Sequence, residues 1–254
     1  MNKITRELKL SQKYALEEDE HGLIKLTQDN VAHVEAMIRY NSSYRKAFDK
    51  NDEDSSAHHF VSLKEVLIGK KKVSDTEYRE IVHNVVRAID RENSTHLNSD
   101  GNGIDTITDR ICGIKRKGDL VRYLKNPKGT DYKLLRSLET KTRPKGKSQK
   151  GNKRVGRRNT SFASKFCHYA CYYLFEDEME QDNYSIYDSV IKKALPRYMD
   201  AYGMSKQDLT DYVNYQRVID EIISKSKSGI SRNGFDHLIW YCYKGGVRTE
   251  EDNE

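Results

Sequence analysis

Apolar residues spaced three and four positions apart are the feature of this sequence that most constrains its fold. Between residues 78 and 89 they form one stripe, consisting of Tyr78, Ile81, Val82, Val85, Val86 and Ile89. An α-helix repeats every 3.6 residues, so this spacing places the whole stripe on one face. The preceding Ser74-Asp75-Thr76-Glu77 is a capping box, which predicts where that helix begins.

Similar spacing recurs along most of the chain and predicts an all-α fold. Short β-branched runs are few, and the 254 residues include only 3 prolines that would interrupt helices. A chain of this length can form one large domain or two small ones around a substantial core. The polar stretch at 41–60, which contains His58 and His59, predicts a surface loop.

Charge and cysteine content indicate the cellular context. A net charge of +6 is compatible with a nucleic-acid partner but does not identify one. Four cysteines without close pairing favour a reducing compartment, and residues 1–8 lack the apolar run of a signal peptide. No apolar run approaches the roughly 20 residues that a membrane helix needs. We therefore expect a cytoplasmic protein with no membrane partner.

The sharpest change in composition lies at residues 141–158. This segment contains nine Lys or Arg residues and three glycines, but no acidic and no large aromatic residue. Such a composition is typical of a solvated loop, or of an arm that becomes ordered on the phosphates of DNA or RNA. It separates an N-terminal helical region at 1–140 from a C-terminal region at 159–254.

A helix is predicted over residues 160–175, directly after the basic segment. One of its stripes consists of Phe162, Phe166, Tyr169 and Tyr173, and the neighbouring stripe of Ser161, Lys165, His168 and Tyr172. Lys165 therefore lies at the edge of an aromatic face. Burial at this edge would favour the neutral amine of a nucleophilic lysine, whereas a structural lysine would cover the core with its stem and keep its charge in water.

The start of this helix has the features of a phosphate-binding site. Asn159, Thr160 and Ser161 are good N-cap residues, and the unpaired N–H groups of a first helical turn attract anions. Arg157 and Arg158 add positive charge immediately before it. We expect the beginning of the helix to face a nucleic-acid backbone.

Asp188 precedes a helical run that starts at Ser189, which is the position of an N-cap. Backbone N–H groups hold such an aspartate in place and keep it ionised, so a capping role and a catalytic role are compatible.

The cysteines do not predict a metal site. Cys167, His168 and Cys171 lie close together, but Cys112 and Cys242 are isolated. Four zinc ligands would therefore have to come from distant segments. We expect neither a metal nor another cofactor.

Two segments, Arg158 to Cys171 and Tyr184 to Val190, resemble the helix-hairpin-helix superfamily of DNA glycosylases, especially the 8-oxoguanine glycosylase branch. In that family a hairpin leads into a helix with a nucleophilic lysine, and an aspartate follows at the start of a later helix. Lys165 matches the lysine position. Asp188, within Tyr-Ser-Ile-Tyr-Asp-Ser-Val, matches the aspartate position.

The resemblance covers roughly residues 157–245, because Phe235 to Trp240 also resembles the closing helix of bacterial members. One departure lies in the hairpin, which in the family carries Gly-x-Gly before the lysine. Here the corresponding stretch is Ser161-Phe162-Ala163-Ser164 and contains no glycine. The cysteine spacing of the iron–sulfur cluster found in some relatives is absent as well.

The resemblance implies two helical subdomains flanking a cleft, and a mechanism in which a damaged or modified base is flipped into a pocket. Lys165 would attack C1′, expel the base and form a Schiff base, while Asp188 stabilises positive charge on the deoxyribose. The implied backbone contacts are Arg157, Arg158, Asn159, Thr160, Ser161 and Ser164. His168 and Trp240 are the implied pocket residues.

Three functions remain open from the sequence. The first is a monomeric DNA glycosylase with lyase activity on double-stranded, damaged or modified DNA. The second is a non-catalytic DNA- or RNA-binding protein on a glycosylase-like scaffold, which the missing glycines favour. The third is a helical protein–protein module in which the basic segment is incidental.

Overall fold

The computed structural model describes residues 16–40, 49–93, 95–97, 103–114, 117–139 and 158–245. Within these ranges the regular structure is helical, apart from an isolated antiparallel bridge between Glu18 and Ile24. The predicted all-α class is therefore confirmed for this part of the chain. In the same ranges, no helix combines the length and the apolar character needed to cross a bilayer. Of the basic segment 141–158, only Arg158 is described.

Eleven α-helices occur in the described residues. They are α1 (Gln28–Tyr40), α2 (Ser56–Leu67), α3 (Asp75–Asn93), α4 (Gly103–Cys112), α5 (Lys117–Lys125), α6 (Lys133–Leu138), α7 (Thr160–Leu174), α8 (Glu178–Gln181), α9 (Ser189–Ala201), α10 (Tyr212–Ser226) and α11 (Arg232–Trp240). A 3-10 turn at Lys128–Thr130 precedes α6, and a π-helical turn at Tyr241–Gly245 follows α11.

The chain divides into two compact units, and the second is inserted in the sequence between two segments of the first. Unit 1 comprises residues 1–42 and 187–254, and unit 2 comprises residues 43–186. Lys165 therefore belongs to unit 2 and Asp188 to unit 1. The predicted C-terminal region at 159–254 contains residues of both units.

Helix α7 is the centre of unit 2. It buries eleven of its fifteen residues, because α2, α3, α5, α6 and α8 all pack around it. The ring centroid of Phe60 in α2 lies 6.1 Å from that of Phe166 and 5.4 Å from that of Tyr173. The predicted helix at 160–175 is thus confirmed, and its aromatic stripe packs on α2.

The surface loop predicted for 41–60 is wrong from Ser56 onward, where the chain forms α2. Residues 49–55 are non-helical as predicted, and residues 41–48 lie outside the described residues. Ser55 caps α2, with its hydroxyl oxygen accepting from the backbone N–H of His58 at 3.0 Å. Phe60 and Leu63 are fully buried. Tertiary burial of this apolar face stabilises a helix whose first turn is too polar to predict one.

Helix α3 begins as the capping box predicts. The backbone N–H of Ser74 donates to Glu77 at 2.8 Å, and the N–H of Glu77 donates back to the Ser74 hydroxyl at 3.3 Å. Most of its predicted stripe is buried between α2 and α4. The helix ends at Asn93, which contacts Lys165 and Tyr169 of α7.

Unit 1 is organised around α11, which packs on α1, α9 and α10. Phe235 is fully buried, with its ring 6.2 Å from that of Tyr198 in α9. Helix α9 continues past Pro196 to Ala201, although proline lacks the backbone N–H that would bond to the preceding turn. Packing against α10 and α11 holds the helix together across the missing N–H.

Candidate functional site

The beginning of α7 is more buried than its polar sequence predicts. Asn159 occupies the N-cap position, but its side chain makes no capping hydrogen bond. Asn159 and Thr160 are each only 7% exposed. The Nδ2 atom of Asn159 is buried and has no hydrogen-bond partner among the residues that the structure describes.

The predicted phosphate contacts occupy different environments. Arg157 lies outside the described residues, Arg158 is exposed and Ser161 is half-buried. Ser164 is fully buried, and its hydroxyl donates to the carbonyl of Ser161 at 3.0 Å. Of the described members of this set, Arg158 and Ser161 therefore present the most side-chain surface to solvent.

Lys165 lies in the interior of unit 2, with 6% of its surface exposed. Its Nζ atom donates to the backbone carbonyl of Asn93, the last residue of α3, over 3.4 Å. Lysine is among the residues that proteins bury least often, because its amine loses hydration. A buried lysine whose amine contacts the end of another helix is therefore a candidate for a chemical role.

Asn93 also contacts the helical turn after Lys165. The hydroxyl of Tyr169 donates to Oδ1 of Asn93 at 3.0 Å, and Nδ2 of Asn93 donates to the carbonyl of Ile89 at 3.2 Å. Lys165 and Tyr169 are four residues apart, so one face of α7 carries both. Asn93 was not predicted as a site residue, because no local pattern marks a contact over 72 residues of sequence.

His168 and Trp240, the two predicted pocket residues, fall in different units. His168 is 1% exposed, and its Nδ1–H donates to the carbonyl of Tyr184 at 2.7 Å. Its ring also lies edge-on to Tyr169, with centroids 5.4 Å apart. Trp240 is half-buried at the end of α11.

Asp188 is the N-cap of α9, as its position predicts. Its Oδ1 atom accepts from the backbone N–H of Val190 at 2.7 Å, and 6% of the residue is exposed. The carboxylate is consequently fixed at the positive end of a helix, where its negative charge is stabilised.

A buried phenol lies next to Asp188. Tyr215 of α10 is fully buried, and burial raises its pKa well above the ordinary value of tyrosine. The charges of Asp236 and Asp188 raise this pKa further, whereas a hydrogen bond with the Asp188 backbone acts in the opposite direction. Asp236 is itself only 2% exposed. Tyr215 and Asp236 were not predicted as site residues, because no local pattern marks their approach to each other.

The thiols of α7 belong to its core. Cys167 and Cys171 are fully buried, and burial raises the pKa of both thiols well above the usual range. The Cys171 thiol donates to the carbonyl of Leu124 at 3.7 Å. In the described residues, no group of three or more His, Cys, Asp or Glu side chains has an arrangement that could hold a metal ion.

Lys165 and Asp188 are therefore buried groups that are capable of chemistry, one in each unit. Unit 2 holds an amine, which can attack an electrophilic carbon, and unit 1 holds a fixed carboxylate, which can stabilise a developing positive charge. No protein-family model, curated protein or solved structure matches this chain.

Proposed function

We propose that this protein is a DNA base-excision glycosylase with associated abasic-site lyase activity. It acts as a cytoplasmic monomer on an oxidised or otherwise modified base in double-stranded DNA. The burial of Lys165 is the observation that carries this proposal, because an amine away from water suits Schiff-base chemistry. The glycosylase resemblance of the segments around Lys165 and Asp188 supports it.

In the proposed reaction, Nζ of Lys165 attacks C1′ of the damaged nucleotide. The C1′–N bond breaks, and the base leaves with the bonding electron pair and takes up a proton. Asp188 stabilises the positive charge that develops on the deoxyribose. The amine then loses its protons while the C1′–O4′ bond breaks, and O4′ takes the bonding electron pair and a proton, which gives a C1′=N Schiff base. Removal of a C2′ proton then breaks the C3′–O bond, whose electron pair leaves with the 3′ phosphate.

We propose the helix-hairpin-helix glycosylase arrangement for this reaction, with two helical subdomains flanking a cleft. Arg158, exposed immediately before α7, is a phosphate ligand in this proposal. The further backbone contacts proposed are Arg157, Asn159, Thr160, Ser161 and Ser164. His168 and Trp240 are the proposed pocket residues.

Borohydride trapping tests the proposal on duplex DNA that contains an abasic site or 8-oxoguanine. The parent protein should form a covalent adduct, because borohydride reduces the Schiff base to a stable amine. Lys165→Gln should lower the yield by about 100-fold or more, since it removes the nucleophile.

Lys193→Gln is the matched control, because Lys193 is an exposed lysine of α9 that should not matter for trapping. A Lys165→Gln protein that forms as much adduct as the parent would exclude Lys165 as the nucleophile. Absence of any adduct from the parent on both substrates would exclude the lyase activity.

A non-catalytic nucleic-acid-binding protein is the second candidate. The stretch from Ser161 to Ser164 favours it over an enzyme, because this stretch lacks the Gly-x-Gly that precedes the nucleophilic lysine in the glycosylase hairpin. This function predicts salt-sensitive binding that survives substitution of Lys165 and Asp188, without a covalent adduct.

A further inference from the structure

Asn93, the last residue of α3, forms hydrogen bonds with two residues of α7, which are Tyr169 and the proposed nucleophile Lys165. We propose that Asn93 and Tyr169 are positioning residues that hold and aim the amine of Lys165. Their catalytic importance rests on the proposed function, but the contact itself can be tested without DNA.

The two contacts use different parts of Asn93. Nζ of Lys165 donates to its backbone carbonyl at 3.4 Å, and the Tyr169 hydroxyl donates to its side-chain Oδ1 at 3.0 Å. Because Lys165 and Tyr169 are four residues apart in α7, both side chains reach the same end of α3. Asn93 is thus a shared anchor for one face of α7.

Hydrogen bonds near the end of α3 restrain the position of Asn93. Nδ2 of Asn93 donates to the carbonyl of Ile89 at 3.2 Å. The buried carboxylate of Asp90 accepts from the Thr95 hydroxyl at 2.5 Å and from the backbone N–H of Leu97 at 2.8 Å. These bonds restrain the backbone where α3 ends, so the Asn93 carbonyl stays in one place.

The Asn93 carbonyl can orient the Lys165 amine before it reacts. It belongs to the last turn of a helix, where carbonyl groups carry partial negative charge and attract a cation or an N–H donor. A distance of 3.4 Å is at the long end for a hydrogen bond, so the contact orients the amine without binding it tightly.

Tyr169 keeps the Asn93 amide in the orientation that completes this arrangement. Its hydroxyl requires an acceptor, so Oδ1 faces Tyr169 and Nδ2 faces the carbonyl of Ile89. Loss of the hydroxyl leaves Oδ1 without this donor and weakens the attachment of α7 beside Lys165. The amine should then spend more time away from the Asn93 carbonyl.

Reductive methylation with formaldehyde and cyanoborohydride measures this effect in the free protein. Peptide mass spectrometry follows the rate at Lys165, with exposed Lys193 as the internal reference. Tyr169→Phe should raise the Lys165 rate about fivefold, the factor expected when one hydrogen bond of typical strength is lost. Tyr172→Phe, at a position of α7 that is 37% exposed, should leave the rate unchanged.

Single-turnover trapping on abasic DNA then tests positioning for catalysis. Tyr169→Phe should lower the first-order rate constant of adduct formation about fivefold, with unchanged affinity for DNA. A purely structural defect would lower the folded fraction, and hence the amplitude, without changing this rate constant. Asn93→Ala should have a similar effect, and the double variant should be little worse than either single one.

The outcomes separate this inference from the proposed function. An unchanged Lys165 methylation rate in both Tyr169→Phe and Asn93→Ala would overturn the positioning contact, even if the parent forms adducts. Faster methylation in these variants, combined with no adduct from the parent, would support the contact and exclude the lyase activity.

Discussion

The carboxylate of Asp188 accepts a hydrogen bond from the backbone N–H of Val190 at 2.7 Å, which fixes it at the start of α9. Asp211 has the same role at the start of α10, where it accepts from the N–H of Asn214 at 3.0 Å. The two aspartates lie in the same unit and share a capping function. Of the two, only Asp188 has a proposed catalytic function as well.

Asp188→Asn should separate these functions. Asparagine caps helices about as well as aspartate, so the free energy of unfolding should change by less than about 1 kcal/mol. Base excision in a single-turnover assay should slow by about 100-fold or more, because the stabilising charge is lost. Asp211→Asn is the control and should preserve both stability and rate. Equal activity of the two variants would contradict the proposed role of Asp188.

Lys165→Met should show that the lysine is retained for chemistry and not for stability. Methionine keeps much of the apolar stem and removes a buried amine, so denaturant unfolding should give a free energy equal to the parent's or up to about 2 kcal/mol higher. Borohydride trapping should be lost. A decrease in stability of more than about 2 kcal/mol would indicate a structural lysine instead.

Gly103→Ala should destabilise the protein because α4 starts against the turn that leaves α3. A Cβ atom at Gly103 would lie less than 3.0 Å from the backbone carbonyl of Leu97. Thermal or denaturant unfolding should reveal a loss of at least about 1 kcal/mol, since backbone atoms must move. Gly118→Ala in α5, where a Cβ meets open space, should be neutral or stabilising.

The capping box of α3 should make stability depend on pH. Hydrogen bonds from the Ser74 backbone and hydroxyl lower the pKa of Glu77 below its ordinary value of 4.5. A lowered pKa stabilises the folded state above the unfolded-state value, and this stabilisation disappears as pH falls through the folded-state value. The difference in thermal midpoint between the parent and Glu77→Gln should therefore shrink below about pH 4.5. A difference that stays constant through this range would contradict the assignment.

Thiol labelling should distinguish Cys112 from the other cysteines. Cys112 is half-buried, whereas Cys167, Cys171 and Cys242 are buried, and burial raises the pKa of Cys242 to about 12. Iodoacetamide should modify Cys112 at least about tenfold faster in the native protein, because thiolate fraction and access both favour it. Peptide mass spectrometry checks this order, and equal rates after denaturation provide the control.

Local patterns predicted the elements that carry a clear signal in their own sequence. The capping box fixed the start of α3, the aromatic stripe predicted α7, and Asp188 was recognisable as an N-cap from its place before Ser189. In each case the signal lies within the predicted helix or directly before it.

The remaining features depend on residues far apart in sequence. Helix α2 forms because Phe60 packs on α7, and Asn93 meets Lys165 across 72 positions. Burial of Ser164 and Thr160 likewise follows from the many helices around α7, which hydrophobic spacing does not specify. The polar residues at its start therefore appeared more accessible in the sequence than they are in the fold.

The insertion of unit 2 between the two segments of unit 1 affects the order in which the units can fold during translation. All of unit 2 has been synthesised once residue 186 is added, so it can fold while the ribosome is still at work. Helix α1 emerges much earlier, but its partner α11 is translated only after all of unit 2. We expect α1 to remain exposed to chaperones until α11 has been translated. A premature stop near residue 230 should leave α1 without this packing partner.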